Sequence, residues 1–180
     1  MGSGYIVQRG GGSKPSGTIS ITENGTVDVT EYAVANVNVK DYSAFKAIVD
    51  DSLTEVTAEM LDGITSIGVT AFASCTSLTS ITIPSGVTYI GNSVFYYCTH
   101  LASITIPSSV TSIGYSAFQT CNRLESVTVE ATTPPTLGYM AFDFTSANLV
   151  IYVPAESVEA YKTASYWSNY ASRIQAIPST

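Results

Sequence analysis

Two consecutive blocks of 23 residues, running from Leu78 to Arg123, have nearly the same sequence. They read LTSITIPSGVTYIGNSVFYYCTH and LASITIPSSVTSIGYSAFQTCNR. Glycine, phenylalanine and cysteine keep this spacing over three successive repeats: Gly68, Gly91 and Gly114; Phe72, Phe95 and Phe118; Cys75, Cys98 and Cys121. A period of this length is typical of a solenoid, in which each repeat forms one coil that stacks on its neighbours. The repetition predicts an architecture and leaves the activity open.

Each block begins with a strand pattern. Ile81 and Ile83 alternate with Ser80 and Thr82, so one face of the strand points toward a core. A second apolar set then returns the chain: Val87, Ile90, Phe95 and Cys98. Gly91 lies between the two arms of this return, where the backbone needs either a positive φ or a close approach to another chain segment.

The N-terminal part differs in composition from the repeats. Residues 1–17 are rich in glycine and serine and predict a flexible leader. Residues 18–41 alternate in polarity, and Asn24-Gly25 predicts a hairpin turn, so we expect a small antiparallel unit of two or three strands. Residues 42–52 have helical spacing and predict an N-terminal capping helix.

The solenoid is predicted over residues 53–153. Its first coil is degenerate, and counting by 23 places Ala58 at the position of Ile81. The last coil has one extra residue around Pro134. Residues 154–180 predict a C-terminal capping helix and tail, with acidic residues in the first turn and Arg173 near the end. The residues expected to face inward are Val158, Tyr161, Trp167, Tyr170 and Ile174.

The charge pattern excludes several classes of function. Fourteen acidic residues outnumber seven basic ones, and no Asp, Glu, Lys or Arg occurs between Gly63 and Asn122. Nucleic acid binding requires basic groups for the phosphates, so we do not expect it.

No apolar run reaches the roughly 20 residues of a membrane helix. The first residues also lack the apolar stretch of a secretory signal, so we expect a mature fragment, a tagged protein, or a protein exported without such a signal. A phage virion protein, released by lysis, needs none.

The three cysteines recur at the repeat period, with no CxxC motif or histidine cluster beside them. Because parallel coils lie about 4.8 Å apart with their side chains in the same direction, the cysteines predict a buried column rather than disulfides or a metal site. The acidic residues Asp50, Asp51, Glu55, Glu59 and Asp62 lack the alternating oxygen ligands of a calcium loop, and a solvated face is the simpler interpretation. We expect no cofactor.

The block pattern L-x-S-I-T-I-P-S-x-V-T-x-I-G-x-x-x-F-x-x-C resembles the BspA-like, or treponemal-type, leucine-rich repeats. The resemblance implies an α/β repeat solenoid, a right-handed coil with short parallel strands, closed by a helix such as VPAESVEAYKTASYWSNYASRI. It also implies a non-catalytic adhesion or protein-binding module. The segment GTISITENGTVDVTEYAVANVNV resembles a short β unit of virion and surface proteins from gut Firmicutes and their phages.

Two sets of side chains are candidates for ligand binding. Thr82, Thr105 and Thr128 repeat on the outer strand face beside serines, where a hydroxyl grid could bind a glycan or a protein edge, although threonine also simply suits an exposed strand. The second set lies where the two blocks differ, so the core does not dictate these residues: Tyr89, Tyr96, Tyr97, Tyr115 and Gln119. Exposed tyrosine is typical of recognition surfaces, and ordinary surface or inter-subunit packing is the alternative.

No enzyme motif occurs, and the single histidine, His100, has no acid or nucleophile at a suggestive spacing. We therefore expect a non-catalytic binding or adhesion module, displayed on a phage virion or a bacterial surface, that recognises a protein or glycan through its uncharged face. The alternative is a structural virion component, such as a head decoration or tail fibre subunit, that packs against copies of itself or other virion proteins.

Overall fold

The computed structural model describes residues 5–8, 18–21, 26–30, 46–48, 54–58, 61 and 65–179. Residues 54–58, 61 and 65–179 form a stack of parallel coils. The strands of this stack are β5 Glu55–Val56, β6 Ser66–Ile67, β7 Ser80–Ile81, β8 Tyr89–Ile90, β9 Ser103–Ile106, β10 Ser112–Ile113, β11 Ser126–Val129, β12 Thr136–Leu137, β13 Val150–Val153 and β14 Ile174–Ala176. The predicted α/β repeat solenoid with parallel strands is confirmed.

The coils form three walls around one core. The first sheet contains β5 paired with β7 and, in order, β9, β11, β13 and β14; a bridge between Thr82 and Thr105 joins the two groups. The second sheet contains β6, β8, β10 and β12. The third side, here called the turn wall, has no strands and comprises residues 69–74, 92–97, 115–120 and 139–144.

Aromatic rings and thiols run through the core as continuous files. Phe72, Phe95, Phe118 and Phe142 stack with ring centroids 5.1 to 5.7 Å apart and interplanar angles of 5 to 14°. The three cysteines are buried and form no disulfide, as predicted, and the Sγ of Cys121 donates to the carbonyl of Phe95 at 3.0 Å. Because each coil places the same side chain above its predecessor, the core continues unbroken from one coil to the next.

Glycine is required at the corner between the second sheet and the turn wall. A Cβ atom on Gly138 would lie 2.1 Å from the backbone nitrogen of Tyr115, and one on Gly114 would lie 2.4 Å from the Oδ1 of Asn92. The close approach of successive backbones, rather than a positive φ, therefore explains the repeated glycine.

The register departs from a strict period at both ends. Ser112 pairs with Thr136, 24 residues away, which confirms the extra residue in the last coil. Val56, and not Ala58, pairs with Ile81. The prediction for Ala58 is wrong because the first coil has two more residues between its strands than the coils that follow.

The C-terminal cap contains less α-helix than the sequence predicts. Helix α1 covers only Val158–Thr163. The backbone then changes direction at Tyr166, whose φ is +62°, and continues as a 3-10 helix at Trp167–Arg173 and strand β14. The predicted inward side chains Tyr161, Trp167 and Tyr170 are buried. The Nε1 of Trp167 donates to the Pro135 carbonyl at 2.7 Å, so the cap is hydrogen-bonded to the last coil.

Four strands precede the solenoid in sequence: β1 Tyr5–Gln8, β2 Thr18–Ile21, β3 Thr26–Thr30 and β4 Lys46–Ile48. The predicted antiparallel pairing is present between β2 and β3, with β1 antiparallel to β2 and β4 parallel to β3. The predictions of a flexible leader at Tyr5–Gln8 and of a helix at Lys46–Ile48 are wrong, because both segments pair as strands. The rest of those segments, including the Asn24-Gly25 turn, lies outside the described residues.

Candidate recognition surface

The turn wall has an unusual backbone. Non-glycine residues adopt a left-handed conformation at two positions of every coil: Thr70, Ser93, Ser116 and Met140 at the first, and Ser74, Tyr97, Thr120 and Phe144 at the second. Few residues other than glycine and asparagine adopt this conformation without strain. Backbone hydrogen bonds hold it in place, since alternate N–H groups of one coil donate to carbonyls of the next.

These bonds all run in the same direction along the stack. The donor and acceptor pairs are Thr70 and Asn92, Phe72 and Val94, Ser74 and Tyr96, Ser93 and Tyr115, Phe95 and Ala117, Tyr97 and Gln119, Ser116 and Tyr139, Phe118 and Ala141, and Thr120 and Asp143, at 2.7 to 3.0 Å. At the last coil the N–H of Phe142 instead donates to the hydroxyl of Tyr170 at 3.2 Å. The cap thereby supplies the acceptor that a further coil would provide.

Aromatic side chains are concentrated on the outside of this wall. The structure places the predicted residues Tyr96, Tyr97 and Tyr115 on this wall, and the rings of Tyr96 and Tyr97 lie 6.2 Å apart. It adds Tyr139, which is 60% exposed, and Phe144, which is 68% exposed. We call Tyr96, Tyr97, Tyr115, Tyr139 and Phe144 the aromatic patch.

Tyr166 of the cap extends the aromatic patch. Its ring meets the ring of Tyr139 edge-on at 6.2 Å, and its side chain is exposed. Comparison of the two near-identical blocks misses Tyr139 and Phe144 because both lie in the next coil, which is one residue longer. Aligned with a gap at Pro134, these residues fall at the positions of Tyr115 and Thr120, which is the signal that could have found them.

Three of the exposed aromatic residues are strained. The φ angles are 61° at Tyr97, 57° at Phe144 and 62° at Tyr166. At the position of Tyr97 and Phe144, other coils use Ser74 and Thr120, so the backbone does not require a ring. Bulky residues in this region are uncommon and cost free energy, and such strain is often found at functional sites.

Two predicted residues lie apart from the patch or contribute less to it. Tyr89 belongs to β8 of the second sheet, where it pairs with Ser66 and Ser112 and is half-buried. Gln119 is on the turn wall but half-buried, and its carbonyl accepts from Tyr97. The predicted tyrosine set is therefore divided between two walls.

The predicted hydroxyl columns form on the first sheet. Thr105 pairs with both Thr82 and Thr128, and Thr128 pairs with Tyr152. Thr82 and Thr105 line a concave groove of about 410 Å³ with Ser80, Ser103 and Glu130. We call these five residues the hydroxyl groove. Thr128 does not line it.

Three buried titratable groups, Tyr161, Tyr170 and Cys121, have raised pKa values. Burial raises the pKa of the Tyr161 hydroxyl, which donates to the Ala131 carbonyl at 2.7 Å. Burial, followed by the hydrogen bond to Asp143, raises the pKa of Tyr170. The neighbouring Cys98 thiol, followed by burial, raises the pKa of the Cys121 thiol. These groups remain protonated at neutral pH.

Other chemical candidates find no support in the part of the chain that the structure describes. His100 is exposed, and its Nδ1 lies 3.4 Å from the Oγ1 of Thr99. No group of three metal-ligating side chains comes together among the described residues. Of the acidic residues considered for calcium, only Glu55 lies within the described ranges.

The repeat geometry agrees with a comparison to known families. Residues 39–171 match the family described as BspA type leucine rich repeat region, with six copies. The chain belongs to this family. Proteins of the BspA-like family commonly mediate protein binding or adhesion, are generally non-catalytic, and are typically surface-displayed or secreted.

A solved leucine-rich repeat protein from Bacteroides ovatus is similar in structure, with a TM-score of 0.48 and 23% sequence identity. The match covers 76% of this chain and 39% of that protein, so this chain spans about two fifths of its length. A comparison with curated proteins gives no match. Among the described helices, none has the length and apolarity needed to cross a bilayer.

Proposed function

We propose that this chain is a non-catalytic recognition module that binds a partner protein through the aromatic patch on the turn wall. The observation that carries the proposal is the exposure of five large aromatic rings on one wall, two of them, Tyr97 and Phe144, at left-handed backbone positions. Exposed rings oppose solubility and left-handed backbone opposes bulky residues, so neither feature improves the folded state of the isolated chain.

The composition of the patch favours a protein as the partner. Tyrosine offers a large contact area and a polar tip at low cost in conformational entropy, and it dominates many protein-binding surfaces. Neighbouring residues such as Asn92 and Gln119 add uncharged hydrogen-bonding groups. No charged residue occurs on the wall before Asp143, so contact rather than electrostatic steering determines the affinity.

We further propose that the module is displayed on a bacterial surface or a phage virion. The family's typical location supports a surface, and the similarity of residues 17–39 to a β unit of virion and surface proteins supports either setting. Display would present the aromatic patch to a protein on another cell or particle.

The repeat itself supplies variants that remove the patch while satisfying the backbone. In the substitutions Tyr96→Gln, Tyr97→Thr and Tyr115→Asn, each new residue is the one that a neighbouring coil carries at the same position, as in Gln119, Thr120 and Asn92. Binding of the fluorescently labelled full chain to intact bacterial cells is then compared with that of the triple variant. We expect the native chain to bind, protease treatment of the cells to abolish binding, and the triple variant to lose about tenfold or more in affinity.

Tyr89→Ser is the matched control, because Ser112 occupies the same position one coil later, on the second sheet. It should bind as the native chain does. Binding that survives protease treatment but is abolished by periodate oxidation of the cells would replace the protein partner with a glycan. Equal binding by the triple variant would remove the aromatic patch from the mechanism.

The second candidate is a structural virion component that packs against copies of itself. It is favoured by Phe144, which has no polar tip and is 68% exposed in the single chain. Mass photometry of the native chain and of Phe144→Thr separates the two functions. A symmetric oligomer that dissociates in Phe144→Thr would support self-assembly, whereas a monomer in both would support the recognition module.

A further inference from the structure

We propose that the hydroxyl groove on the first sheet is a second binding site and that it takes a neutral saccharide. This inference is independent of the aromatic patch, because the groove lies on a different wall of the solenoid. It rests on the hydrogen-bonding state of the hydroxyl groups, on the position of Glu130, and on the shape of the groove.

The threonines of the two sheets differ in their hydrogen bonds. On the second sheet, the Oγ1 of Thr88 donates to the Thr65 carbonyl at 3.2 Å, and the Oγ1 of Thr111 donates to the Thr88 carbonyl at 3.2 Å. These hydroxyl groups link one coil to the coil before it. Thr136 continues the series toward the carbonyl of Thr111 at 3.4 Å.

The hydroxyl groups of the groove have no such role. Within residues 65–179, the side chains of Ser80, Thr82, Ser103 and Thr105 have no hydrogen-bond partner. The parallel register holds Thr82 beside Thr105 and repeats them at the strand spacing of about 4.8 Å. Each free hydroxyl both donates and accepts, which matches the hydroxyl groups of a sugar.

Glu130 departs from the repeat at the groove. The two preceding coils have Pro84 and Pro107 at this position, so the fold does not demand a carboxylate here. The backbone N–H of Glu130 donates to the Ile106 carbonyl at 3.0 Å, which fixes the residue at the groove. The ion pair found among the described residues joins Lys162 and Glu159, so the carboxylate of Glu130 is available as an acceptor.

These features select one ligand chemistry. The groove contains a carboxylate and no cation, so it disfavours anions. Its lining combines the hydroxyl groups with Ile81, Ile104 and Pro107, so it offers polar contacts to the hydroxyl groups of a sugar and apolar contacts to its ring carbons. A single ammonium group would use the carboxylate and leave the hydroxyl donors without acceptors. A neutral saccharide uses both, and a volume of about 410 Å³ falls in the range of small-molecule sites.

The test is saturation-transfer difference NMR on the full chain with three neutral disaccharides: lactose, maltose and diacetylchitobiose. N-acetyl-lysine amide and sialyllactose serve as the cationic and anionic comparison probes. We expect saturation transfer to at least one neutral disaccharide and little transfer to sialyllactose. The double substitution Thr82→Val, Thr105→Val should weaken binding about tenfold, because it removes two hydrogen-bonding groups and keeps the β-branched shape.

Thr111→Val is the matched control, since it removes a hydroxyl that bonds internally, and it should bind sugar as the native chain does. The inference is overturned if none of the three disaccharides receives saturation, if the double variant binds unchanged, or if Thr111→Val loses as much. Binding of N-acetyl-lysine amide alone, lost in Glu130→Gln, would assign the groove to an amine instead. The triple variant of the aromatic patch should retain sugar binding, which separates this result from the proposed function.

Discussion

The turn wall and the second sheet have the same period and opposite characters. In the second sheet the backbone is extended, the outward threonines bond to the preceding coil, and Tyr89 is half-buried. In the turn wall the backbone is left-handed at two positions per coil, and Tyr97 and Phe144 are exposed. The difference separates the two roles within one repeat, since one wall carries the side-chain hydrogen bonds between coils and the other carries the left-handed backbone and the exposed rings.

The largest expected effect tests whether a ring on the inner side of the turn wall and a ring on its outer side contribute equally to the free energy of unfolding. Phe118→Ala removes a fully buried ring from the middle of the phenylalanine file and should reduce the free energy of unfolding by about 3 to 5 kcal/mol. Phe144→Ala removes an exposed ring and should change it by less than about 0.5 kcal/mol. Urea unfolding followed by circular dichroism measures both. Similar losses in the two variants would contradict the division between core and display.

The second prediction concerns the corner that joins the two walls. Gly138→Ala forces a Cβ to within 2.1 Å of the Tyr115 nitrogen and should cost about 3 kcal/mol, since backbone cannot move aside without shifting the coil. Gly86→Ser is the control, because Gly86 is exposed and the next coil has Ser109 at that position. Its midpoint in the same urea titration should match that of the native chain.

The third prediction concerns the end of the turn wall. Tyr170→Phe deprives the Phe142 N–H of its acceptor inside the protein and should cost about 2 kcal/mol. Tyr152→Phe provides the comparison, because the Tyr152 hydroxyl has no partner among residues 65–179, and its stability should be unchanged. Thermal unfolding of the two proteins gives the comparison directly, and equal melting temperatures would show that solvent satisfies the Phe142 N–H.

The fourth prediction follows from the raised pKa values of Tyr161 and Tyr170. The folded chain keeps protons that the unfolded chain releases above its tyrosine pKa of about 10, so stability is complete below pH 10 and falls as the pH rises. Above about pH 10, each of the two tyrosines should lower the free energy of unfolding by about 1.4 kcal/mol for every pH unit. Urea midpoints between pH 8 and 11 measure the slope, which Tyr170→Phe should reduce; an unchanged slope would exclude Tyr170 as a source.

The smallest expected effect is the difference in stability between matched threonine substitutions on the two sheets. Thr111→Val breaks a hydroxyl bond between coils and should cost about 0.5 to 1 kcal/mol. Thr105→Val removes a hydroxyl with no internal partner and should leave the free energy of unfolding unchanged. Equal costs for these two matched substitutions, measured by urea titration, would mean that the groove hydroxyls also support the fold.

Much of the solenoid could be predicted from the sequence because its core residues repeat. The spacing of Phe72, Phe95 and Phe118 gave the stacked file, and the apolar alternation gave the strands. The register of Val56 and the break of the cap at Tyr166 could not be predicted. Both depend on how the end of a stack is satisfied, and a repeat pattern contains no information about its own ends.

The candidate surfaces were predictable only in part. Tyr96, Tyr97 and Tyr115 differ between two aligned blocks, which separates them from residues that the core dictates. Phe144 lies in a coil of different length. The sequence also gives no sign that Ser74 and Thr120, at the equivalent positions, have a left-handed backbone. The hydroxyl groove could not be predicted either, because it requires the fold to place Glu130 and Thr105, from successive coils, along the same cavity.

The hydrogen bonds of the turn wall all point toward the last coil and give that wall an electrical polarity. With successive peptide groups aligned, their dipoles add along the stack as they do along a helix, leaving the donor end at the last coil. Asp143, at that end, accepts from the Tyr170 hydroxyl at 2.6 Å and places negative charge where the aligned dipoles favour it. A further coil at this end would have to supply the acceptor that Tyr170 now provides for the Phe142 N–H, so lengthening the array by one coil would require the tyrosine cap to move to the new terminus.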